Sequence, residues 1–289
     1  MKQFLKIILE LGKVRISLPV ALSAIAGFVL YADELNMQAA QMALGVFLMS
    51  CGSGALNHWQ ERHTDALMPR TQKRPIPSGK ISPARGLLTA AGYAVAGSLV
   101  LVFSNPLIAL VMSWATLFSY NLIYTPLKKV TAFAVIPGSL VGALPPIIGW
   151  AAAGGNILAE PILIVATFFF IGQIPHFWLL LLLFGDQYKL AGFPSLTDIF
   201  TEIQIKHITF VWIITTVASA LLVLFFVFTS RVLFGLLLAY IFYLLITLSR
   251  AVFFKKDFRV LPAFYKLNFL YLFMMLFLIA DSFIRMAYV

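Results

Sequence analysis

The sequence predicts an all-α fold: a polytopic membrane protein built as a bundle of nine transmembrane helices. Three observations lead to this prediction. The 289 residues are 61% hydrophobic and only 11% charged, with a mean hydropathy of +0.95, a composition typical of membrane proteins and not of soluble domains. The apolar residues form long uncharged runs of the length that crosses a bilayer. Regular alternation of polar and apolar residues, the pattern of a transmembrane barrel, is absent.

Each apolar run is predicted to be a helix, because backbone polar groups in lipid must be satisfied within their own segment. The connections at 60–85 and 184–207 are the longest polar ones, and neither resembles a soluble domain. We therefore expect one membrane-embedded domain over residues 1–289. The predicted spans cover residues 15–32, 37–56, 86–103, 106–123, 132–152, 161–183, 208–228, 232–249 and 268–286.

The basic residues fall almost entirely on one side of this arrangement. If the spans alternate in direction, 19 of the 21 Lys and Arg residues share the side of the N-terminus, and only Arg231 and Arg285 lie opposite. The positive-inside rule then places the N-terminus in the cytoplasm. The net charge of +10 needs no nucleic acid as a partner, because scattered lysines such as Lys13 attract anionic membrane lipids.

The first residues predict a separate helix on the membrane surface. Apolar residues recur there at near-helical spacing between lysines, at Phe4, Leu5, Ile8 and Leu11. This pattern is typical of an interfacial amphipathic helix. The single cysteine, Cys51, lies in an apolar run and is predicted to be a packing residue.

A polar stretch at the end of the second span carries the strongest functional signal. Asn57, Glu61 and Asp65 are four residues apart, so on one helix they advance by only ~40° per step and form a stripe. We call these three residues the acidic stripe. Carboxylate and amide oxygens suit Mg²⁺, which usually binds through one or two carboxylates together with substrate phosphates. The alternative is an ordinary polar helix end whose carboxylates pair with basic neighbours, namely Arg62, Arg70 or Arg74.

A second acidic position supports the metal interpretation. Asp186 follows the sixth span on the same face of the membrane, so it would face the acidic stripe across a cavity if the two spans pack together. Metal-assisted departure of diphosphate from an allylic carbon generates a carbocation. Phosphate chemistry beside a lipid-filled pocket indicates prenyl transfer. The rim of such a cavity would bind diphosphate or another anion through Arg70, Lys73, Arg74, Lys128 and Lys129.

Three tracts resemble the UbiA-type intramembrane prenyltransferases, over about residues 15–200. The first is the polar stretch that holds the acidic stripe. The others are "YTPLKKVTAFAVIPGSLVGALPPIIGWAA", residues 124–152, and "GQIPHFWLLLLLFGDQYKLAGFP", residues 172–194. The asparagine–acid–acid pattern is common to the superfamily, whereas the two longer tracts are more particular to its haem O synthase branch.

The resemblance implies a reaction and its substrates. Members of this branch join the farnesyl group of farnesyl diphosphate to a vinyl group of haem B, with addition of water, and the product haem O serves haem-copper oxidases. It further implies a bacterial cytoplasmic (inner) membrane and delivery of the product to haem A synthase or to terminal oxidase assembly. By this resemblance, Mg²⁺ and the diphosphate would be held by Asn57, Glu61, Asp65 and Asp186.

Two positions depart from the wider family pattern. Glu61 stands where many members have Asp, and it is still a carboxylate able to bind metal. Leu190 stands where many quinone-type members have a second Asp, four residues after Asp186, which favours the haem branch. Two alternatives follow for the metal site: one Mg²⁺ suffices, or Asp198 and Glu202 assist. The alternative role for these two acids is a solvated, capped turn before the seventh span.

His176 is an ionisable residue in or near a predicted span, which makes it a functional candidate by default. We expect it to face the haem, either as an axial ligand or as a base toward water. The alternative is a hydrogen-bonded helix-end histidine after Pro175. The remaining histidines, His58, His63 and His207, are predicted to be surface residues.

Tyr124 and Tyr188 are predicted to line the cavity. An aromatic face beside a carbocation stabilises it by ~0.5–2 kcal/mol, although tyrosines are also common in the interfacial belt. Two further functions stay open: another UbiA-type enzyme with an aromatic or chlorin acceptor, and a transporter that uses the acids for ion coupling. Transporter sites usually lie at the bilayer midplane, whereas these acids lie at one surface.

Overall fold

A computed structural model describes residues 2–254 and 259–287 of the chain. Within this part of the chain, nine helices are long and apolar enough to cross a membrane, which confirms the nine predicted spans. Lys255 and Lys256, which contribute to the predicted charge asymmetry, lie outside the described residues. The α-helices are α1 Lys2–Leu11, α2 Val14–Ala32, α3 Met37–Gln60, α4 Arg62–Leu67, α5 Pro83–Ser104, α6 Leu107–Phe118, α7 Thr125–Leu127, α8 Val135–Gly138, α9 Leu140–Ala152, α10 Glu160–Leu190, α11 Glu202–Phe226, α12 Arg231–Ser249 and α13 Val260–Ala287.

Two of the spans contain irregular turns where the sequence predicts plain helix. The fourth span continues from α6 into a π-helix, Ser119–Tyr124, and then α7. The fifth begins with a 3₁₀ turn, Ala132–Ala134, and changes direction at Ser139 between α8 and α9. π-Helical turns are often found at functional sites. This one contacts the polar end of α3.

The predicted surface helix is α1. It exposes Phe4 and Leu5 and buries Leu11 against α3 and the loop that follows it. Its end is fixed by the Tyr93 hydroxyl, which donates to the Ile8 carbonyl at 3.3 Å. The chain then turns at Gly12 and Lys13 into α2, so the first span starts close to the polar end of α3.

Close packing of α2 on α9 forms the centre of the bundle. A Cβ atom at Gly27 would overlap the carbonyl oxygen of Pro146, and a Cβ at Gly149 would overlap that of Ala24. The two backbones therefore touch, as small residues allow in membrane helices. A larger side chain at either glycine would separate α2 from α9. Cys51 is fully buried, as predicted.

At the membrane face opposite the polar end of α3, two charged residues of α13 hold the helix ends together. The Asp281 carboxylate, only 2% exposed, accepts hydrogen bonds from the backbone N–H groups of Thr229 (3.0 Å) and Ser230 (2.6 Å), and so caps the start of α12. Arg285 forms an ion pair with Asp33 and donates to the Leu30 carbonyl at 3.2 Å. These contacts join the ends of α2, α11, α12 and α13.

We predict that Asp281→Ala destabilises the protein, because two buried N–H groups lose a charged acceptor. The expected cost is about 3 kcal/mol, which lowers the midpoint of thermal unfolding by several degrees. The midpoint is measured in detergent with a thiol-reactive dye, since the only cysteine is buried until the bundle opens. Glu160→Ala is the control, an exposed acid on the same face. An unchanged midpoint for Asp281→Ala would contradict the capping role.

Candidate functional site

The acidic stripe lies across a helix break and not on one continuous helix. Helix α3 ends at Gln60, Glu61 adopts a turn conformation, and α4 carries Asp65. The four-residue hydrogen bonds nevertheless continue, from Glu61 N–H to the Asn57 carbonyl (3.0 Å) and from Asp65 N–H to the Glu61 carbonyl (2.7 Å). The three side chains are buried, with exposed fractions of 0, 5 and 0% along the stripe. A solvated helix end would leave them accessible.

Each member of the stripe contacts a different cation. The Asn57 amide oxygen accepts from Lys13 Nζ at 2.6 Å. Glu61 forms an ion pair with Lys128. Asp65 accepts two hydrogen bonds from Nη1 of Arg74, at 2.7 and 2.9 Å. The predicted alternative, pairing with basic neighbours, is therefore present for Asp65, but two of the three cations come from distant parts of the chain.

The charges of these groups follow from burial and from one another. Burial alone would raise the pKa of Glu61, but the positive charges of Lys128 and Lys13 outweigh it and hold the pKa below its usual value. Burial lowers the pKa of Lys13 to about 7, and the charge of Arg74 contributes in the same direction. Glu61 is thus ionised at neutral pH, in the form that binds a metal ion.

Asn121 fixes the π-helix against α3. Its amide donates to the Ser53 carbonyl (3.1 Å) and to Gln60 Oε1 (3.0 Å), and its side-chain oxygen accepts from the Ser53 hydroxyl (2.6 Å). One turn further on, the Asn57 amide donates to the Thr125 hydroxyl at 3.2 Å. These bonds set where Lys128, at the end of α7, meets Glu61.

Aromatic side chains continue from the stripe toward the membrane interior. The rings of Tyr120 and Tyr124 are 5.6 Å apart, and Tyr124 is 5.6 Å from Phe177 of α10. Lys128 Nζ lies 5.6 Å from the rings of both Tyr124 and Phe193. A cavity of about 50 Å³ opens between these groups, and both predicted tyrosines line it, together with Lys128, Phe177, Trp178 and Phe193.

The end of α10 meets the loop after α4, but through the neighbours of Asp186. The Arg70 backbone N–H donates to Gln187 Oε1 at 3.1 Å, and the Arg70 guanidinium lies 4.6 Å from the Phe184 ring. Asp186 itself is exposed. Among the described residues, no three His, Cys, Asp or Glu side chains are grouped closely enough to hold a metal ion. The second acidic position is therefore beside the junction, and its part in metal binding stays a prediction.

The other predicted basic residues divide into two groups. Arg74 and Lys128 lie in the site, paired with the stripe. Those on the exposed rim are Arg70, Lys73 and Lys129. Asp198 and Glu202 are exposed as well, and the Asp198 carboxylate accepts from the Ser195 N–H (2.9 Å) and pairs with Lys189 (3.0 Å). These contacts fit the capped, solvated turn that was the alternative to metal binding.

His176 lies within α10, where its imidazole lies 4.8 Å from the Phe264 ring at a tilted angle and hydrogen-bonds the Asn268 side chain. It is half-buried, and its Nδ1 atom has no partner among the described residues. It is therefore not a helix-end histidine.

The other histidines divide into two groups. His63 and His207 are exposed as predicted. The prediction for His58 is wrong: it is 2% exposed and lies near Lys13 and Arg74.

Sequence reasoning missed three contributors to the site: Lys13, Asn121 and Thr125. Lys13 lay in a segment whose lysines fitted the positive-inside rule. Asn121 had a detectable signal, since an uncharged polar residue in an apolar run needs a partner in lipid. Thr125 precedes Pro126 in a tract that was noted only for its resemblance.

The donor set fits Mg²⁺. It consists of two carboxylates and an amide oxygen on successive turns, all buried, and every one of them already attracts a positive group of the chain. Hard oxygen ligands of this kind are those that Mg²⁺ prefers. The cations that hold them would be released toward an anion when a metal ion takes their place.

Comparisons with known proteins identify the family of this chain. The profile of the UbiA prenyltransferase family matches residues 19–277. The protoheme IX farnesyltransferase of Oleidesulfovibrio alaskensis is 38% identical over 186 residues, 64% of this chain and 66% of that protein. The enzyme of the same name from Geobacter sulfurreducens is 39% identical over 195 residues, 65% and 70% of the two chains. The match thus spans about two thirds of the length of these relatives.

Solved structures share the fold. A UbiA homologue from Archaeoglobus fulgidus bound to GPP and Mg²⁺ superposes with a TM-score of 0.71, covering 96% of this chain and 99% of that one at 14% identity. A homologue from Aeropyrum pernix K1 gives 0.72, with 93% and 98% coverage at 17% identity. At these identities the likeness concerns the fold alone.

We predict that Lys128→Met destabilises the protein, because the buried Glu61 carboxylate loses its partner. Breaking such a pair costs about 3 kcal/mol, measured as a lower thermal midpoint with the same thiol dye. Adding Glu61→Gln should restore part of the loss, since no unpaired charge is left. Lys129→Met, the exposed neighbour, should have no effect. Equal midpoints for the Lys128 and Lys129 variants would show that the ion pair contributes nothing.

Proposed function

The chain belongs to the UbiA prenyltransferase family, and we propose from this premise that it is a multi-pass membrane farnesyltransferase acting on haem B. The reaction joins farnesyl diphosphate, haem B and water, and gives haem O and diphosphate. The similar proteins named protoheme IX farnesyltransferase support this choice of substrates. We place the site face in the cytoplasm and the protein in a bacterial inner membrane.

One observation carries the proposal: a buried acidic stripe held by three cations beside an aromatic-lined cavity. Carboxylates at membrane depth are rare and costly, and they mark functional sites. Arg74 and Lys128 balance the two carboxylates, and Lys13 adds positive charge in its protonated form, which suits an anionic substrate such as a diphosphate.

The residues that would hold Mg²⁺ are Asn57, Glu61 and Asp65, with Asp186 from the other side. Mg²⁺ supplies charge neutralisation that makes diphosphate a better leaving group. Arg74 and Lys128, once released from the carboxylates, bind the phosphate oxygens in place, and the exposed Arg70, Lys73 and Lys129 draw the anion to the site. Farnesyl diphosphate is oriented with its phosphates at the surface and its tail in lipid.

The aromatic residues act on the cation that forms when the carbon–oxygen bond breaks. The Tyr124 ring faces Lys128 at 5.6 Å and the Tyr120 ring faces Lys13 at 6.0 Å, and a ring face stabilises a nearby cation. Burial of these rings excludes bulk water, which would otherwise capture the farnesyl cation before the vinyl group does. Tyr188 lines the same cavity and closes it toward α10.

We assign His176 to the haem side of the cavity. An imidazole nitrogen without a partner is free either to ligate iron or to accept the proton of the water that adds to the haem side chain. The hydrogen bond to Asn268 would hold the ring orientation in either role.

The direct test is product analysis. Membranes with the expressed chain are supplied with farnesyl diphosphate, Mg²⁺ and haem B, and the extracted haems are weighed by mass spectrometry. We expect a haem that has gained a farnesyl group and a hydroxyl group, and no product in EDTA until Mg²⁺ is restored. Product only with an aromatic or chlorin acceptor would support the other UbiA-type function. No turnover with any acceptor would contradict both and leave a transporter as the alternative.

We predict that Asp65→Asn lowers turnover by more than about a hundredfold, because the neutral amide binds Mg²⁺ poorly. Asp186→Asn should have a similar effect if the second acidic position completes the metal site. Asp198→Asn is the matched control: an exposed aspartate on the same face with a capping role. Near-normal turnover of Asp65→Asn would refute the metal assignment, and near-normal turnover of Asp186→Asn would confine the metal to the acidic stripe.

A further inference from the structure

Lys13 is the cation of the site that has no acidic partner. Arg74 is paired with Asp65 and Lys128 with Glu61, whereas Lys13 Nζ contacts only the neutral Asn57 amide by hydrogen bond, and no carboxylate of the described residues lies within the 4.0 Å of an ion pair. Its nearest aromatic contact is the Tyr120 ring, at 6.0 Å. Glu61 and Asp65 act on Lys13 only at longer range, so its amine has no ion-pair partner in the site.

The backbone that delivers Lys13 is held in an uncommon conformation. Lys13 has φ 47° and ψ 45°, and it is one of two non-glycine residues with positive φ in the described chain. This left-handed conformation costs about 1 kcal/mol or more in a residue with a Cβ. Strain of this kind is maintained where the surrounding structure enforces it, and it is concentrated at functional sites.

The turn at Gly12 and Lys13 packs against α3. A Cβ atom at Gly12 would lie 3.1 Å from the Cβ of Cys51, and one at Gly54 would lie 3.4 Å from the Cβ of Lys13. The Ser17 hydroxyl donates to the Gly12 carbonyl at 3.0 Å. The segment between α1 and α2 is thus packed against α3, one turn before Asn57, and the lysine side chain can reach the stripe from this direction only.

We propose that Lys13 is a diphosphate-binding residue, and that the turn between α1 and α2, which carries it, belongs to the active site. If a metal ion were bound by the Asn57 oxygen, the Lys13 amine would lose its hydrogen-bond acceptor there and would be available to a phosphate oxygen. The site then holds three cations around the diphosphate, from three segments of the chain. This inference rests on the proposed function, since it takes the diphosphate site as given.

The test measures the binding of inorganic diphosphate in the presence of Mg²⁺ to the full-length chain in nanodiscs, by calorimetry. Inorganic diphosphate has no farnesyl tail, so its affinity does not report on the lipid-facing pocket. Lys13→Met removes the charge and keeps an apolar stem of similar length. We expect its dissociation constant to rise about tenfold to a hundredfold, the loss expected for a charged hydrogen bond. Lys13→Arg should restore affinity to within about threefold of the unmodified chain.

Lys6→Met is the matched control, an exposed lysine of α1. It should leave both diphosphate binding and the thermal midpoint unchanged. The thermal midpoint of Lys13→Met is measured as well, so that a loss of diphosphate binding is distinguished from a loss of folding. Unaltered diphosphate binding by Lys13→Met, or no recovery with Lys13→Arg, would overturn the assignment of Lys13. If the unmodified chain itself binds no diphosphate with Mg²⁺, the proposed function fails together with it.

Discussion

The arrangement of the site follows from the need to compensate two carboxylates that are buried at the end of a membrane span. An isolated ionised carboxylate in such a place would cost many kcal/mol, so Glu61 and Asp65 require cations at hydrogen-bonding distance. These arrive from the loop after α4 and from the end of α7. The loop can reach Asp65 only by folding back over α3, and α7 can reach Glu61 only because Asn121 holds the preceding π-helix against α3.

Under the proposed function, the same ion pairs would give the site two states with similar electrostatic balance. In the structure, the chain's own cations compensate the carboxylates. With a metal ion and a diphosphate, the metal would compensate the carboxylates and the cations would compensate the diphosphate. Neither the metal ion nor the diphosphate alone leaves the balance intact, since the metal ion would add positive charge to a site that already has an excess. Binding of the two is therefore expected to be cooperative, in the sense that each raises the affinity for the other.

The sequence predicts the membrane fold well because that part of the problem depends on composition and run length. Hydrocarbon tolerates only segments that satisfy their own backbone, so nine long apolar runs lead to nine helices. The acidic stripe was equally readable, because a four-residue spacing survives the small break at Glu61. The sequence could not show which cation contacts which member of the acidic stripe. Lys13 lies 44 residues from Asn57, and the positive-inside rule already explained it as an ordinary cytoplasmic lysine.

The prediction for His58 is wrong and the prediction for Asp186 stays a prediction, for a related reason. The periodicity of a helix shows which residues share a face, but it does not show what covers that face. His58 is buried near Lys13 and Arg74 rather than exposed to water. Asp186 has the right position along α10, but Gln187 and Phe184 make the contacts with the loop. Deriving either outcome would require the path of the connections, which carry little periodicity.

The helix ends at the two membrane faces are held together by different kinds of contact. This difference indicates at which face side chains could move to admit a large substrate. At the far face, Asp281 and Arg285 bind backbone groups and Asp33, partners that no substrate replaces. At the site face, the proposed function would exchange the ion pairs for contacts with a metal ion and a diphosphate. The cavity of about 50 Å³ is much smaller than the ~300–1,000 Å³ of typical ligand pockets, so the proposed substrates, a farnesyl chain and a haem, would have to displace side chains to bind. The displacement is expected at the site face, around Lys128, Tyr124 and Phe193, because there the contacts that are lost are replaced by contacts with the substrate.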